Sequence, residues 1–446
     1  MSRRLALVWA FLLFCWVAPT ARGQSRPLTV AVPSRAALAR LGLERQWTTV
    51  APVAGTEHVL RISRGQDYLF VQTNEGWIHA YHVETGQPAW SASIGEQTPW
   101  ALPVSQNSYA VFATASNVLT ALDRHTGRVI WRHPLGTSPS SGTTADDDHV
   151  VVGLGTGMIQ NLDLREEEAD EPPKLRTTPK PTWNFATGGP VRTRPLFGDR
   201  MICFGSSDGR AYVHMKNQAT ILFHVVTGGP IAAELASHGT RGLLVPSADF
   251  NLYSVDVLTA KMQWIFSSGA PISQGPIVAQ QDIYVINDKG ALSVLDPETG
   301  KARWTTRTHN GKFLGVSPAR VYLLSEDGDM IVVARETGQT LMDPAATFGR
   351  AGLNLRDFTL SFPERFDDRL FLASPSGILL CLREIGATTP NLLYDPEAKP
   401  FGFVPPEGIQ EIQNPFEAAP DADQDAMPDD QDQNQDQDQD QIQNPF

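Results

Sequence analysis

Few residues of this chain have both the type and the spacing that catalytic or metal chemistry requires. His79 and His82 are near neighbours, but no Cys, Asp or Glu at metal-ligand spacing accompanies them. No Ser-His-Asp set, paired-carboxylate signature or phosphate-binding loop is recognisable. The sequence therefore predicts a protein without enzyme activity, with no catalytic, cofactor-binding or metal-binding residues and no cofactor.

Residues suited to protein recognition occur between positions 343 and 366, where arginines alternate with phenylalanines. Arginine and aromatic side chains are enriched in protein interfaces, which makes Arg350, Arg356 and Phe358 candidate partner contacts. The same pattern also suits a connection between sheets whose aromatic rings pack into the core. The packing interpretation is the favoured one.

A second candidate for partner binding lies at the C-terminus. The pentapeptide Ile-Gln-Asn-Pro-Phe ends once at Phe416 and again at Phe446. Residues 417–446 contain ten Asp or Glu, no Lys or Arg and almost no apolar residues, which predicts a disordered acidic tail. Two identical motifs on a flexible linker would form a bivalent ligand. A duplication without any partner is the alternative.

Charge and the N-terminus place the chain among exported proteins. Without the acidic tail, 36 basic residues face 39 acidic ones, so the body lacks the basic excess of nucleic-acid-binding proteins. Arg3 and Arg4 precede a short apolar run and a small-residue cleavage site near Gly23, which indicates a secretory signal. No later run is long enough to span a membrane. We expect a monomer in the periplasm or at the cell surface, with lipidation of Cys15 left open.

Four further features have structural interpretations. Arg192 and Arg194 are expected to be solvated loop charges. Cys203 and Cys381 are expected to be small buried residues, with a disulfide as the alternative. Residues 165–182, acidic and then Pro-rich, predict an exposed loop, either a partner-binding arm or a tolerated insertion. Ser34 before residues 35–43 predicts an N-capped amphipathic helix.

The elements that position all these residues come from an internal repeat. Residues 80–90, 121–131, 254–264 and 294–304 align over eleven positions without gaps, each ending in Trp, and residues 213–223 and 332–342 are weaker copies. The final aromatic or apolar position recurs every 38 to 52 residues. These blade-docking positions are Trp47, Trp90, Trp131, Trp183, Phe223, Trp264, Trp304 and Met342.

Each repeat predicts an antiparallel meander, because short β-branched runs alternate with Asp- and Gly-containing turns. A period near 40 with several strands per unit is typical of propeller blades. The eighth unit lacks a terminal Trp, whereas residues 44–50 offer a Trp-bearing strand with no unit before it. We therefore predict an all-β, eight-bladed β-propeller with four-stranded antiparallel blades, closed by the N-terminal strand.

The motif A-x-D-x-x-T-G-x-x-x-W, complete at Ala121, Asp123, Thr126, Gly127 and Trp131, resembles the tryptophan-docking repeat of the PQQ-like propeller family. In that family, the quinoprotein alcohol dehydrogenases bind PQQ beneath an adjacent Cys-Cys pair and hold Ca²⁺. This chain has no such pair, so their cofactor site is not transferred to it. The resemblance is closer to the BamB-type outer-membrane assembly proteins, which are bare propellers.

The resemblance implies a non-catalytic protein-interaction scaffold of the cell envelope that binds envelope proteins. We expect neither nucleic-acid binding nor a transmembrane span. A small-molecule-binding propeller is the alternative, and a PQQ-dependent oxidoreductase is a weaker one. The expected organisation is a signal peptide at 1–23, an N-terminal segment with a short helix at 24–43, the propeller at 44–385, a Pro-rich linker at 386–416 and the disordered tail at 417–446.

Overall fold

A computed structural model describes residues 30–166 and 174–404 of the chain. The predicted signal, Cys15, the acidic tail and the two pentapeptides ending at Phe416 and Phe446 lie outside these residues. Within the described ranges, no helix is long and apolar enough to cross a bilayer.

Eight four-stranded antiparallel sheets form the fold, as the repeat predicts. The two middle strands of each sheet are almost wholly buried between neighbouring sheets, which explains their continuous runs of Val, Leu, Ile and Ala. Blade 1, the first complete sheet along the chain, consists of four consecutive strands. Blades 2 to 7 are built in the same way. Blade 8 takes three consecutive strands and the first strand of the chain.

The elements, in chain order and grouped by blade, have the following bounds. The N-terminal elements are α1 (Arg35–Arg40) and β1 (Leu43–Val50). Blades 1 to 4 contain β2 (Val59–Arg64), β3 (Tyr68–Thr73), β4 (Trp77–His82), β5 (Pro88–Ser93); β6 (Ser105–Gln106), β7 (Ala110–Ala115), β8 (Val118–Asp123), β9 (Val129–Pro134); β10 (Thr144–Ala145), β11 (His149–Gly153), β12 (Met158–Glu166), β13 (Lys174–Ala186); and β14 (Leu196–Phe197), β15 (Met201–Gly205), β16 (Arg210–Met215), β17 (Ile221–Val226). Blades 5 to 8 contain β18 (Ala236–His238), β19 (Gly242–Pro246), β20 (Asn251–Asp256), β21 (Met262–Ser267); β22 (Ile277–Ala279), β23 (Asp282–Ile286), β24 (Ala291–Leu295), β25 (Ala302–Arg307); β26 (Lys312–Val316), β27 (Arg320–Leu324), β28 (Met330–Ala334), β29 (Thr340–Met342); and β30 (Leu360–Ser361), β31 (Leu370–Ala373), β32 (Ile378–Glu384).

The N-terminal strand closes the ring, which confirms the prediction from the repeat count. Blade 8 has the strand order β1-β32-β31-β30, and β1 runs antiparallel to β32 along its whole length. Glu44 lies opposite Arg383, and the Arg383 Nε atom is 2.8 Å from a Glu44 carboxylate oxygen. The two ends of the propeller are therefore joined by a complete strand pairing.

The Asp-Thr-Gly turns between the third and fourth strands form for a local reason. In blade 2, the Asp123 carboxylate accepts hydrogen bonds from the backbone N–H of Thr126 at 2.8 Å and from its hydroxyl at 2.7 Å. Asp296 makes the same pair of bonds to Thr299 in blade 6. These bonds satisfy backbone donors in the turn and lower the pKa of both carboxyl groups.

A short helix precedes the ring. In α1, the Ser34 hydroxyl accepts a hydrogen bond from the Ala37 N–H at 3.2 Å, as an N-cap does. The helix is shorter than the sequence suggests, because Gly42 turns the chain with a φ of 74° and β1 follows at once. Leu38 is fully buried against the connection between blades 7 and 8.

The described residues of the insertion, 165–166 and 174–182, correct the prediction of an exposed loop, whereas residues 167–173 lie outside the described ranges. The described residues belong to the hairpin of β12 and β13, with Arg165 opposite Leu175 and Glu166 opposite Lys174. Arg176 lies 3.1 Å from Asp163 and 3.4 Å from Glu166. Prolines are compatible with this arrangement because β13 is the outermost strand of its blade, where a missing N–H breaks no ladder.

The segment after β32 is also different from the predicted linker. Its backbone bonds successively to Phe366, Gln280, Asp199 and Thr240, and so reaches from blade 8 to blades 6, 4 and 5. Leu393 and Phe401 are only 1% and 8% exposed, since both enter inter-blade cores. We call residues 387–403 the C-terminal strap. The compact body of the chain therefore extends to Phe403 rather than ending at residue 385.

Candidate functional site

The recurrent tryptophans connect each blade to the next. Five of the six indole N–H groups donate to a backbone carbonyl in the turn before the fourth strand of the following blade, at 2.7 to 2.9 Å. The donor and acceptor pairs are Trp47–Val83, Trp90–Arg124, Trp183–Lys216, Trp264–Pro297 and Trp304–Arg335. Trp131 is 8% exposed and packs with the core between blades 2 and 3. These positions hold the ring together and leave little indole surface for a ligand.

The glycine of the Thr-Gly turn has a second purpose that sequence reasoning did not find. Gly127 has a φ of 70°, and a Cβ atom there would lie 2.6 Å from the Trp90 ring of the preceding blade. Gly86, Gly300 and Gly338 relate to the preceding Trp in the same way. Ala80 and Ala121, which face Trp90 and Trp131 across their own blades, are strand partners and not the docking surface.

One seam departs from this pattern at both of its members. Phe223 takes the place of Trp in blade 4, and the glycine of the next turn is replaced by Ala260, with a φ of 57°. A phenyl ring is smaller than an indole and has no N–H to donate, so a methyl group fits at this seam. Met342 replaces Trp in blade 7 and is partly buried.

The connection between blades 7 and 8 separates the predicted partner contacts into two groups. Phe348 is 44% exposed, Arg350 is exposed, and the Arg356 guanidinium lies 4.4 Å from the centre of the Phe348 ring. Arg356 is also 3.5 Å from Asp329. We call Phe348, Arg350 and Arg356 the connection patch.

Phe358 belongs to the other group. Its side chain is 1% exposed and packs in the core with Leu38 of α1 and Leu355. This placement corrects its assignment as a partner contact and agrees with the packing interpretation of the aromatic residues. The burial follows from an alternation of apolar residues at 351, 353 and 355, which directs this part of the connection into the seam.

A cavity of about 540 Å³ lies on the propeller axis. Most of its wall residues lie on or just before the first strands of seven blades. The first strands of neighbouring blades contact one another and are therefore the innermost, which makes the cavity part of the central channel. The basic residues in the wall are Arg61, Arg64, Arg194, Lys312 and Arg365, and the acidic one is Glu234. The apolar residues include Ile62, Pro103, Ile277, Phe313, Phe362 and Phe366.

Glu234 joins the arginines of two distant blades. Its oxygens lie 2.8 and 3.1 Å from Arg194 of blade 4 and 3.1 Å from Arg365 of blade 8. The adjacent guanidinium groups outweigh the effect of burial and lower the Glu234 pKa to about 2. This carboxylate therefore stays ionised at neutral pH. Because Glu234 lies just before the first strand of blade 5, its bond to Arg365 joins blade 5 to blade 8 across blades 6 and 7.

The two terminal nitrogens of Arg64 are paired with carboxylates behind the cavity wall. Arg64 lies 2.8 Å from Glu364 and 2.6 Å from Asp367, between the rings of Phe366 and Phe371. This buried group spans the junction between blade 1 and blade 8, with both carboxylates in the connection from β30 to β31. Its position indicates a structural role at ring closure.

Sequence reasoning missed the channel residues, and expected Arg194 to be a solvated loop charge. A signal existed: Arg194, Glu234 and Gln274 are spaced by 40 residues, in phase with the Trp repeat, and stand just before innermost strands. Arg61 also reaches forward one repeat, donating from Nε to the Ala101 carbonyl at 2.7 Å. Arg192 is exposed, as expected.

Cysteine and histidine have packing roles where the structure describes them. Cys203 and Cys381 are free and fully buried, and burial raises the pKa of both thiols. His79 bonds to the Ser91 hydroxyl at 2.7 Å, and burial lowers its pKa. Residues 30–166 and 174–404 contain no group of three or more His, Cys, Asp or Glu side chains placed to hold a metal ion.

The outer strands of blades 4 and 5 present apolar side chains to solvent. Leu222 and Val226 on β17 are 46% and 63% exposed, and Met262 and Ile265 on β21 are 45% and 54% exposed. We call these four residues the outer apolar strip. The sequence did not point to this strip, because β17 and β21 resemble the fourth strands of the other blades.

Comparisons with known proteins agree with this architecture. A family model described as outer membrane protein assembly factor BamB matches residues 74–169 and 248–383. BamB of Yersinia pestis is 21% identical over 321 residues, covering 65% of this chain and 76% of its own. BamB of Shewanella oneidensis is 18% identical over 323 residues, covering 65% and 77%.

Among solved structures, BamB from Moraxella catarrhalis superposes with a TM-score of 0.61 and 17% identity, covering 76% of this chain and 97% of that one. The computationally designed Ika8 protein matches with a TM-score of 0.56 and 16% identity, covering 73% of this chain and 96% of that one, and this likeness shows the fold alone. The residues matched by the family model amount to more than half of the 446 in the sequence. The chain therefore belongs to the family of outer membrane protein assembly factor BamB.

Proposed function

We propose that this protein is a non-catalytic scaffold of the cell envelope that binds other proteins during outer-membrane protein assembly. The observation that supports this most directly is membership of the BamB family. The relatives of known name are outer membrane protein assembly factors. We further propose that the chain is exported and acts as a monomer in the periplasm or at the cell surface.

The connection patch is the contact surface we favour for the protein partner. Arg and aromatic residues dominate the energetics of protein interfaces, and an arginine held over a ring loses less freedom on binding. Arg356 is held in this way by Phe348 and Asp329, while Arg350 is exposed beside them. The pentapeptides ending at Phe416 and Phe446 remain a second candidate, outside the described residues.

Affinity capture from envelope extracts of the source organism tests both the function and the surface. The full-length protein is expected to retain barrel-assembly components, identified by mass spectrometry. Replacing Phe348 with Ala and Arg350 with Glu should reduce their recovery at least tenfold, because the patch loses its ring and reverses a charge. A matched variant in the outer apolar strip, Leu222→Glu with Ile265→Glu, should leave recovery unchanged.

Two results would count against these proposals separately. Loss of capture only in the outer-strip variant would move the contact to blades 4 and 5 and keep the scaffold role. Absence of every barrel-assembly component from the wild-type capture would remove the assembly role itself.

The absence of catalysis needs its own measurement. Titration of the purified protein with PQQ and Ca²⁺, followed by quinone absorbance and dye-coupled alcohol oxidation, should show no turnover. Stoichiometric binding accompanied by alcohol oxidation would replace the scaffold with an oxidoreductase.

A further inference from the structure

The central channel contains more positive charge than its own carboxylates neutralise. Glu234 is shared by Arg194 and Arg365, and it is the acidic residue in the cavity wall. Among the residues that the structure describes, no carboxylate lies within 4.0 Å of the charged atoms of Arg61 or Lys312. The unmatched charges of Arg61, Lys312 and one of the Glu234-bound arginines thus converge on one cavity.

This excess charge is held in place by the fold. The Arg61 Nε atom donates to the Ala101 carbonyl at 2.7 Å, which fixes the guanidinium while its two terminal nitrogens make no other hydrogen bond to the described chain. Burial and the charge of Arg194 lower the pKa of Arg61. Burial, together with Arg194, likewise lowers the pKa of Arg365. Like charges in a partly enclosed space disfavour one another, and a bound anion would relieve this repulsion.

The cavity also has the size and wall of a ligand site. Its volume of about 540 Å³ falls within the range of small-molecule pockets. Phe313, Phe362 and Phe366 supply aromatic surface next to the basic residues. Arginine side chains are only partly buried there, with Arg365 32% exposed and Arg194 33% exposed, so solutes reach them. A planar guanidinium fits carboxylate or phosphate groups through paired hydrogen bonds.

We propose that the central channel is a binding site for a small amphipathic anion, whose carboxylate or phosphate group is received by Arg61, Lys312 and Arg365 and whose apolar body lies against Phe313, Phe362 and Phe366. This inference is independent of the scaffold function, since it concerns the channel and not the outer surface. It assigns the channel a ligand without assigning the protein a reaction.

Calorimetric titration of the full chain with phenyl phosphate and with benzoate tests the proposal. Each should bind with a stoichiometry near one and raise the Tm, because a ligand that prefers the folded state stabilises it. Affinity should fall as NaCl is raised from 50 to about 500 mM, as expected for screened charges. Benzyl alcohol, which has the ring without the charge, should not bind measurably.

The deciding variants are Arg61→Gln and Lys312→Gln. Neither residue bridges a carboxylate in the described structure, so both variants should fold, with unchanged circular dichroism. Arg61→Gln should weaken phenyl phosphate binding at least tenfold and Lys312→Gln severalfold. Arg132→Gln removes the same charge from the exposed outer strand β9 and should leave the affinity within twofold.

Two outcomes would overturn the site. One is the absence of heat and of a Tm change with both anions at millimolar concentration. The other is equal affinity in the Arg61→Gln and Arg132→Gln proteins, which would indicate general attraction to surface charge. Neither outcome bears on the capture of barrel-assembly components.

Discussion

At the scale of single residues, glycine has two separable duties in this propeller. Gly127 adopts a left-handed conformation and also lies directly beneath Trp90 of the preceding blade. Gly269 adopts nearly the same conformation, with a φ of 75°, but a Cβ atom there would meet nothing within 4 Å. Comparing substitutions at Gly127 and Gly269 therefore separates two contributions to the free energy of unfolding, that of the left-handed backbone and that of displacing an indole.

We predict that Gly127→Ala destabilises the protein more than Gly269→Ala does. The left-handed conformation alone should cost about 1–2 kcal/mol in either variant. The methyl group at position 127 should cost about 1–3 kcal/mol more, because it overfills a packed seam. Urea denaturation followed by tryptophan fluorescence gives the free energy of unfolding. Equal losses in the two variants would show that the indole seam adjusts without strain.

At the scale of the element, local chemistry explains why so much was predictable. The Asp-Thr-Gly turns form through hydrogen bonds within four residues, as at Asp123 and Asp296. They can therefore be recognised in a single sequence. Counting units also predicted the pairing of β1 with β32. Contacts that join residues of different blades leave no such local trace, which is why Arg194 was misplaced and Phe358 was offered as a surface residue.

The C-terminal strap is the element that sequence reasoning described least well. Its composition resembles a linker, and only tertiary contacts show that individual side chains are inserted into the ring. Leu393 is 1% exposed and packs between blades 6 and 7, whereas its neighbour Leu392 is 42% exposed. Prolines in such a segment reflect an extended path over a surface as readily as a flexible connection.

Leu393→Ala should therefore lower the free energy of unfolding by about 2–5 kcal/mol, the usual range for truncating a buried leucine. Leu392→Ala should change it by less than about 0.5 kcal/mol, since that side chain is exposed. Chemical denaturation of both variants measures the difference. If the two variants lost the same small amount, the strap would contribute no packing to the ring.

At the scale of the whole molecule, stability depends on the junction at blade 8. The pairing of β1 with β32 and the buried Arg64–Glu364–Asp367 group both lie there. Elsewhere, consecutive strands supply all four members of a blade. Opening the ring at this junction separates β1 from β32, which are paired without being joined by a hairpin.

A disulfide across this junction is expected to stabilise the entire ring. Glu44 and Arg383 are direct partners in the ladder, at a separation that a disulfide bridges. The Glu44→Cys, Arg383→Cys protein should gain about 2–4 kcal/mol when oxidised relative to its reduced form, because the bond restricts the unfolded chain. Thermal denaturation with and without reductant measures the gain. An oxidised form no more stable than the reduced one would show that unfolding begins away from blade 8.

Because β1 pairs with β32, the propeller can close only after its last strand has been synthesised. During synthesis β1 is made first, and its partner is among the last parts of the propeller to follow. A chain interrupted anywhere before β32 keeps an unpaired strand edge, and its Trp47 lacks the cover of Cys381. Such exposed edges and apolar surfaces are the features that proteases and aggregation exploit. Only a chain that extends through β32 can pair this edge, so ring closure distinguishes molecules with a whole propeller from shorter fragments.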